Sequence, residues 1–365
     1  MSLRITTTLN TKSSFAIYTA ATREWRMTDA AGYTSIITLD ALGRPISMGG
    51  SGQAPLNLSY TTYGNIAEIA EGAGAERRIT RYTYHPSGWP ASVTNPLSGT
   101  TSWNYDGAGR VLTTTLPLAQ TTLARYDANG NQTFARLPSG LDIQSTYDLD
   151  NRLTAQVVDP AGANTLTTYT YDAADNLITM VEDAGQGRAN RTTSWTWRPI
   201  SAVGDYQMAT VTDPVGAVTT YTYDSAGRVS AVTDALNKTT TLTYDSLGRL
   251  AMHTSPLSAT TRWVYNADSQ VVRVTDPRGG VNRYTYDAAG RLAQEIRGTA
   301  AIGASPAISQ TITYGYDAQS RLATLTDPDQ RTTTQTYDAF GRLTATGLAN
   351  GDRMTVVYDA LDRVV

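Results

Sequence analysis

The chain has 365 residues, with 29 basic and 32 acidic side chains, a net charge of -3 and only 17% charged residues. That length suits two average domains or one long array, and the balanced charge, with no Lys/Arg block, excludes the electrostatic footprint of a nucleic-acid binder. The absence of cysteine excludes disulfides and thiolate chemistry, and two histidines leave little material for a zinc set or a catalytic triad.

The first twenty residues, MSLRITTTLNTKSSFAIYTA, hold no apolar core of the signal-peptide type. No run of 18 apolar residues occurs anywhere, so no transmembrane helix is expected. From residue 18 a period emerges. An aromatic residue or a leucine precedes a turn at Tyr18, Leu39, Tyr63 and Tyr84. The same place is held by Tyr105, Tyr126, Tyr147, Tyr171, Trp197, Tyr223, Tyr244, Tyr265, Tyr286, Tyr316, Tyr337 and Tyr358. Ten of the fifteen intervals are 21 residues, and the others (24, 24, 26, 26 and 30) are longer, as loops inserted into a fixed core would be. Residues 1–83 therefore read as divergent repeats. Residues 84–365 read as the array proper, with longer units at 148–223 and 287–316.

After the clearest anchors the turn has the form D-x-x-G-R. The clearest sets are Tyr105-Asp106 with Gly109-Arg110, Tyr223-Asp224 with Gly227-Arg228, and Tyr244-Asp245 with Gly248-Arg249. Tyr286-Asp287 with Gly290-Arg291 and Tyr337-Asp338 with Gly341-Arg342 repeat the pattern. A hairpin loop of three to five residues with glycine in the left-handed position is the expected geometry. Asn151 in the Asp148 unit and Asn176 in the Asp172 unit read as stand-ins for that glycine. The alternate turns read D-P-x-G, as at Asp213-Pro214-Val215-Gly216 and Asp276-Pro277-Arg278-Gly279, with relatives at Asn95-Pro96, Asp159-Pro160 and Asp327-Pro328. There proline sets φ, the acid accepts from turn amides and glycine takes positive φ.

Between turns the residues alternate: Thr219, Tyr221 and Tyr223 share one face, Thr220 and Thr222 the other. Two strands of about seven residues per unit give about 32 strands. The expected fold is all-β: a curved single-layer antiparallel ribbon of hairpins, a partial spiral β-shell in which each unit touches mainly its neighbours. Neither face is consistently apolar, which disfavours a sandwich, and the 21-residue period disfavours four-stranded propeller blades.

The repeated aspartates, including Asp317, read as turn caps. Calcium ligation is the alternative, but one or two carboxylates per turn are few for a calcium loop, and nothing singles out an aspartic-protease pair. Arg110, Arg228, Arg249, Arg291, Arg321 and Arg342 read as members of an Asp–Arg ladder along one rim, with contact to phosphate or glycan as the alternative. His85 takes the aspartate's place in its turn and His253 lies in a strand, neither with a partner cluster. Trp195 and Trp197, in RANRTTSWTWRPISAVGDYQM, are placed on one face by alternation and are candidates for binding a sugar or a protein surface. GTAAIGASPAISQ, 298–310, reads as a small flexible excursion. No phosphate-cradling loop or G-x-S-x-G elbow is present, so no catalytic, cofactor or metal site is expected.

The Tyr-Asp-x-x-Gly-Arg-[Leu/Val] unit followed by Thr-Asp-Pro-x-Gly resembles the RHS/YD-repeat family. That family includes the C components of insecticidal Tc toxins, bacterial Rhs polymorphic toxins and the teneurin shell. The resemblance is clear over 84–365 and looser from 18. It implies a hollow β-shell wound from a strip. In bacterial members the shell encloses a C-terminal toxin domain, and a core after the repeats frees it by aspartyl-protease-like chemistry; teneurin shells serve adhesion. The sequence ends inside a repeat, with Asp362 where glycine usually stands, and the expectation is a shell fragment. Its implied partners are the rest of the shell and its toxin, in cis or in trans; the tyrosine-rich faces and the Trp195/Trp197 pair make an adhesion module for a glycan or surface protein the alternative. Its implied place is outside a bacterium or on its surface.

Overall fold

The computed structural model describes residues 2–9, 12–29, 31–50, 52–74, 77–182, 190–200, 205–298 and 309–365. Most of the expected excursion (299–308) lies outside the described residues, as do 188–189 and 201–204 of the tryptophan-bearing stretch. Among the described residues there are 32 strands, from Ser2–Leu9 to Arg353–Thr355, with no α-helix and one 3₁₀ turn at Pro117–Ala119. The strands form one open antiparallel sheet, each paired with its successor in sequence. The all-β single-layer ribbon expected from the repeats is what the structure shows. The chain divides into two compact units, one of residues 1–100 with 262–365 and one of residues 101–261.

Strand Val218–Tyr223 shows why these residues form a sheet without a core. Its positions alternate exposed and half-buried, with Thr219, Tyr221 and Tyr223 on the half-buried face. Among the described residues only Ala70 and Ala345 are buried apolar side chains. Hydrophobic burial is therefore a minor term, and the sheet rests on its backbone ladder, its turns and side-chain contacts between neighbouring units.

The turns carry the register. Asp224 N–H donates to the Arg228 carbonyl at 2.8 Å and Gly227 N–H to the Asp224 carbonyl at 3.0 Å, with Gly227 at φ 80°. The ladder slips between Thr222 and Tyr223, a bulge that re-aims the strand into the turn. The D-P-x-G turn closes in the same way: Asp213 N–H to the Ala217 carbonyl and Gly216 N–H to the Asp213 carbonyl, both at 3.0 Å, with Gly216 at φ 84°. The two turn families are one backbone device, used alternately on opposite edges of the strip.

Two assignments need correction. In the Asp172 unit the left-handed residue is Asp175, at φ 65°, and Asn176 stands one place later, where arginine usually is. A short polar side chain that can bond locally tolerates positive φ, and aspartate qualifies as asparagine does. In the third unit the residue that ends the strand is Tyr60; Tyr63 sits in the turn itself, 92% exposed.

Candidate functional site

The repeated motif builds a clasp. Asp224 Oδ1 accepts the N–H groups of Ala226 (2.9 Å) and Arg228 (3.0 Å), and Oδ2 accepts Arg228 Nε (2.8 Å). Asp106–Arg110, Asp245–Arg249, Asp287–Arg291, Asp317–Arg321 and Asp338–Arg342 repeat this pairing. Asp40–Arg44 is a full copy that the repeat reading passed over. The D-A-L-G-R signal was present, hidden by Leu39 in the tyrosine's place.

The arginine then reaches into the following unit. The Arg228 guanidinium lies 4.5 Å from the ring centre of Tyr244, and Tyr244 Oη donates to the Val229 carbonyl at 2.8 Å. Arg110 stacks on Tyr126 at 4.9 Å while Tyr126 Oη donates to the Val111 carbonyl at 3.0 Å. Arg291–Tyr316–Leu292, Arg321–Tyr337–Leu322 and Arg342–Tyr358–Leu343 follow the same plan. Several arginines also donate to the backbone of the next aspartate, as Arg110 Nη1 does to the Asp127 carbonyl at 2.9 Å. One guanidinium thus joins its own turn to the tyrosine of the next repeat. The Tyr223 and Tyr286 hydroxyls likewise donate to the preceding unit, to the Met208 and Val271 carbonyls. Tyr105 ends its strand in the usual place.

Electrostatics follow the bonds. The Asp224 and Asp245 carboxyls are held below the usual carboxylate range, first by the guanidinium of their own arginine and then by its backbone N–H. At Asp106 the order reverses, with the Arg110 N–H leading. At Asp338 burial works against ionisation, but the N–H and guanidinium of Arg342 outweigh it. The Tyr223 and Tyr286 hydroxyls are pushed up by burial.

Departures from the motif are compensated within the chain. Asn266 and Gln270 replace an Asp–Arg pair together: Asn266 Nδ2 donates to Gln270 Oε1 at 2.9 Å, and Gln270 Nε2 to the Gly290 carbonyl at 2.6 Å. Where Gln207 takes the arginine's position, its cross-strand partner Arg198 supplies the guanidinium, 4.7 Å from the Tyr223 ring. Trp197 takes a tyrosine's position, and its indole N–H donates to the Leu177 carbonyl at 2.9 Å. Trp195 and Trp197 are both half-buried, and the ladder slips between Thr196 and Trp197. His85 closes its turn with the usual backbone bond, N–H to the Trp89 carbonyl at 2.8 Å, and borders a pocket of about 800 Å³ with Tyr63, Tyr82 and Tyr84. His253 stands opposite Leu242. Among the described residues, no three His, Asp or Glu groups are placed to hold a metal, and no helix is long and apolar enough to cross a membrane.

One group of contacts lay beyond the repeat pattern. In the unit of residues 1–100 and 262–365, Ala54 N–H donates to the Ala339 carbonyl at 2.7 Å. Arg78 pairs with Glu71 and Asp362, each at 2.5 Å, and lies 4.0 Å from the Phe340 ring centre. Turns of the Tyr-Asp edge here dock on turns of the opposite edge.

The Teneurin YD-shell family model matches residues 6–190 and 206–297, and the RHS Repeat model matches 316–353. The chain belongs to the teneurin YD-shell family. Among solved structures, this YD-shell chain resembles one in the Photorhabdus luminescens Tc holotoxin pore with a mutated TccC3. The identity is 15% and the TM-score 0.55, over 97% of this chain and 24% of that one. The crystal structures of TcdB2-TccC3-Cdc42 and of TcdB2-TccC3 without its hypervariable C-terminal region are similar at 15% identity, with TM-scores of 0.55 and 0.54, over 100% of this chain and 26% of theirs. At that identity the likeness is one of fold, and the chain spans about a quarter of the length of those chains. A comparison with curated proteins returned no match. Family membership makes the chain a structural shell scaffold.

Proposed function

We propose that the chain is a non-enzymatic wall segment of an RHS shell. That shell encloses or presents a toxin domain supplied by another part of the assembly, in cis or in trans, outside the cell or at its surface. The observation that carries this reading is the use made of the repeated polar residues. The aspartates, arginines and tyrosines of the motif bond to one another and to backbone across neighbouring units. Groups committed in this way hold a wall together and are not poised for chemistry. The fold-level likeness to the TcdB2-TccC3 structures runs along the whole chain and supports the same reading. The test is co-expression with the polypeptide encoded beside it, followed by limited proteolysis. Protection of that polypeptide is expected; digestion at the rate of the free polypeptide would sink the reading.

A further inference from the structure

The hairpin of strands Val271–Thr275 and Val281–Tyr286 breaks the charge pattern of the clasps. Arg273 and Arg283 are direct cross-strand partners. On the preceding strand Val264 pairs with Arg273, so Arg262, two residues from Val264, lies on the same face. Arg278 caps the end of the hairpin in its turn. All four are exposed, and among the described residues none has a carboxylate or aromatic partner. The groups facing them are neutral: Ile296 opposite Arg283, Gln294 beside it, then Thr311 and Thr313. The nearby Glu295 pairs with Tyr284, which places it on the other face, where Arg297 and Tyr314 hold it. Asp276 accepts the N–H groups of Arg278 and Gly280.

Like charges directly opposite, with Cα atoms about 5 Å apart, destabilise a sheet. In three other repeats the place of Arg283 holds threonine, at Thr220, Thr241 and Thr334, and the place of Arg273 holds Ala231, Met252 and Thr324; where Arg81 takes the place of Arg283, Glu68 pairs with it. Among the described residues no carboxylate is paired with either arginine to offset that cost. We infer that Arg262, Arg273, Arg278 and Arg283 form a binding site for an acidic segment of extended polypeptide. The guanidinium fork fits a carboxylate through two parallel bonds. An extended chain presents the side chains of one face about 7 Å apart and adjacent strands here lie about 4.8 Å apart, a difference that the long arginine stems span. The patch is too small, on a chain of net charge -3, to track a phosphate backbone. The site goes beyond the shell reading and does not require the partner to be enclosed.

The test is fluorescence anisotropy of a labelled oligo-glutamate peptide with the full chain, at low salt and at about 0.15 M salt. Binding is expected to weaken about tenfold for each arginine replaced in Arg273→Gln/Arg283→Gln and to fall with salt, while Arg331→Gln, at an exposed arginine already paired with Asp327 and Asp329, leaves it unchanged. Equal binding by the double variant, or none by the native chain at low salt, overturns the inference. So does binding of a single-stranded oligonucleotide or of anionic phospholipid vesicles without binding of the peptide. A urea titration supplies an independent readout. Arg283→Thr should raise the midpoint by removing the repulsion, and a lowered midpoint would show the pair to be structural and overturn the site.

Discussion

A tyrosine hydroxyl that reaches back 15 residues to a backbone carbonyl is the smallest element of order in this array. Tyr244→Phe keeps the ring under Arg228 and removes only that bond, at an expected cost of about 1 kcal/mol. Arg228→Lys removes more, because an ammonium supplies neither the fork for Asp224 nor the planar stack on Tyr244. A double-mutant cycle between Arg228 and Tyr244, read by urea unfolding, should give a coupling of about 0.5–1 kcal/mol. Additive effects would mean that the stack contributes nothing. The Asn266–Gln270 unit suggests the companion experiment. Asp245→Asn alone leaves Arg249 without its carboxylate, whereas Asp245→Asn with Arg249→Gln rebuilds a neutral version of the bond. The double variant should therefore be more stable than the single.

At the scale of the hairpin, the left-handed residue sets how well each turn closes. Ser258, at φ 62°, holds this conformation in a turn that its N–H closes on the Ser255 carbonyl at 2.9 Å. Ser258→Gly relieves a left-handed cost of about 1–2 kcal/mol and introduces a glycine entropy cost of about 0.5–1 kcal/mol, so a small gain in stability is expected. Gly341→Ala does the reverse. The added Cβ has room, its nearest neighbour being Arg321 Nη1 at 3.9 Å, but φ +83° is strained for alanine, and a loss of about 1 kcal/mol is expected in urea melts. These turns were legible in sequence because their chemistry is local: an acid, a glycine and a fixed count of residues. The strands were legible through alternation and period. The stack of Arg228 on Tyr244 was not, because it joins residues of different repeats, and a pattern aligned within one repeat cannot show what crosses to the next. Tyr63 was mistaken for the anchor because a turn tyrosine and a strand-ending tyrosine lie three residues apart in TYGN and SY, and only the register of Tyr60 against Ile66 separates them. The contact of Arg78 with Asp362 spans 284 residues and has no sequence period behind it.

Across the whole molecule the clasps sum into a dependence on pH. Asp40, Asp106, Asp148, Asp224, Asp245, Asp287, Asp317, Asp338 and Asp359 are all held below the usual carboxylate range. In the unfolded chain they titrate near about 3.9. Above about pH 5 these carboxyls are ionised in both states, and their stabilisation is fully present. As pH falls, the unfolded chain takes up protons first, and stability is lost progressively until the folded carboxyls have titrated too. The tyrosines act at the other end. Burial raises Tyr84, Tyr171, Tyr223, Tyr286 and Tyr337 above their ordinary value near 10. Their contribution is complete below that value and is lost as pH rises through the folded pKa, where the hydroxyl that donates to the neighbouring carbonyl is gone. Urea midpoints measured from pH 3 to 11 should therefore form a plateau with a fall at each end. The acid limb also reports cooperativity, since its slope counts the protons taken up when units open together. Converting two Asp–Arg clasps to Asn–Gln pairs should make that limb shallower and leave the alkaline limb in place. An acid limb of unchanged slope would mean that the clasps do not hold the array together.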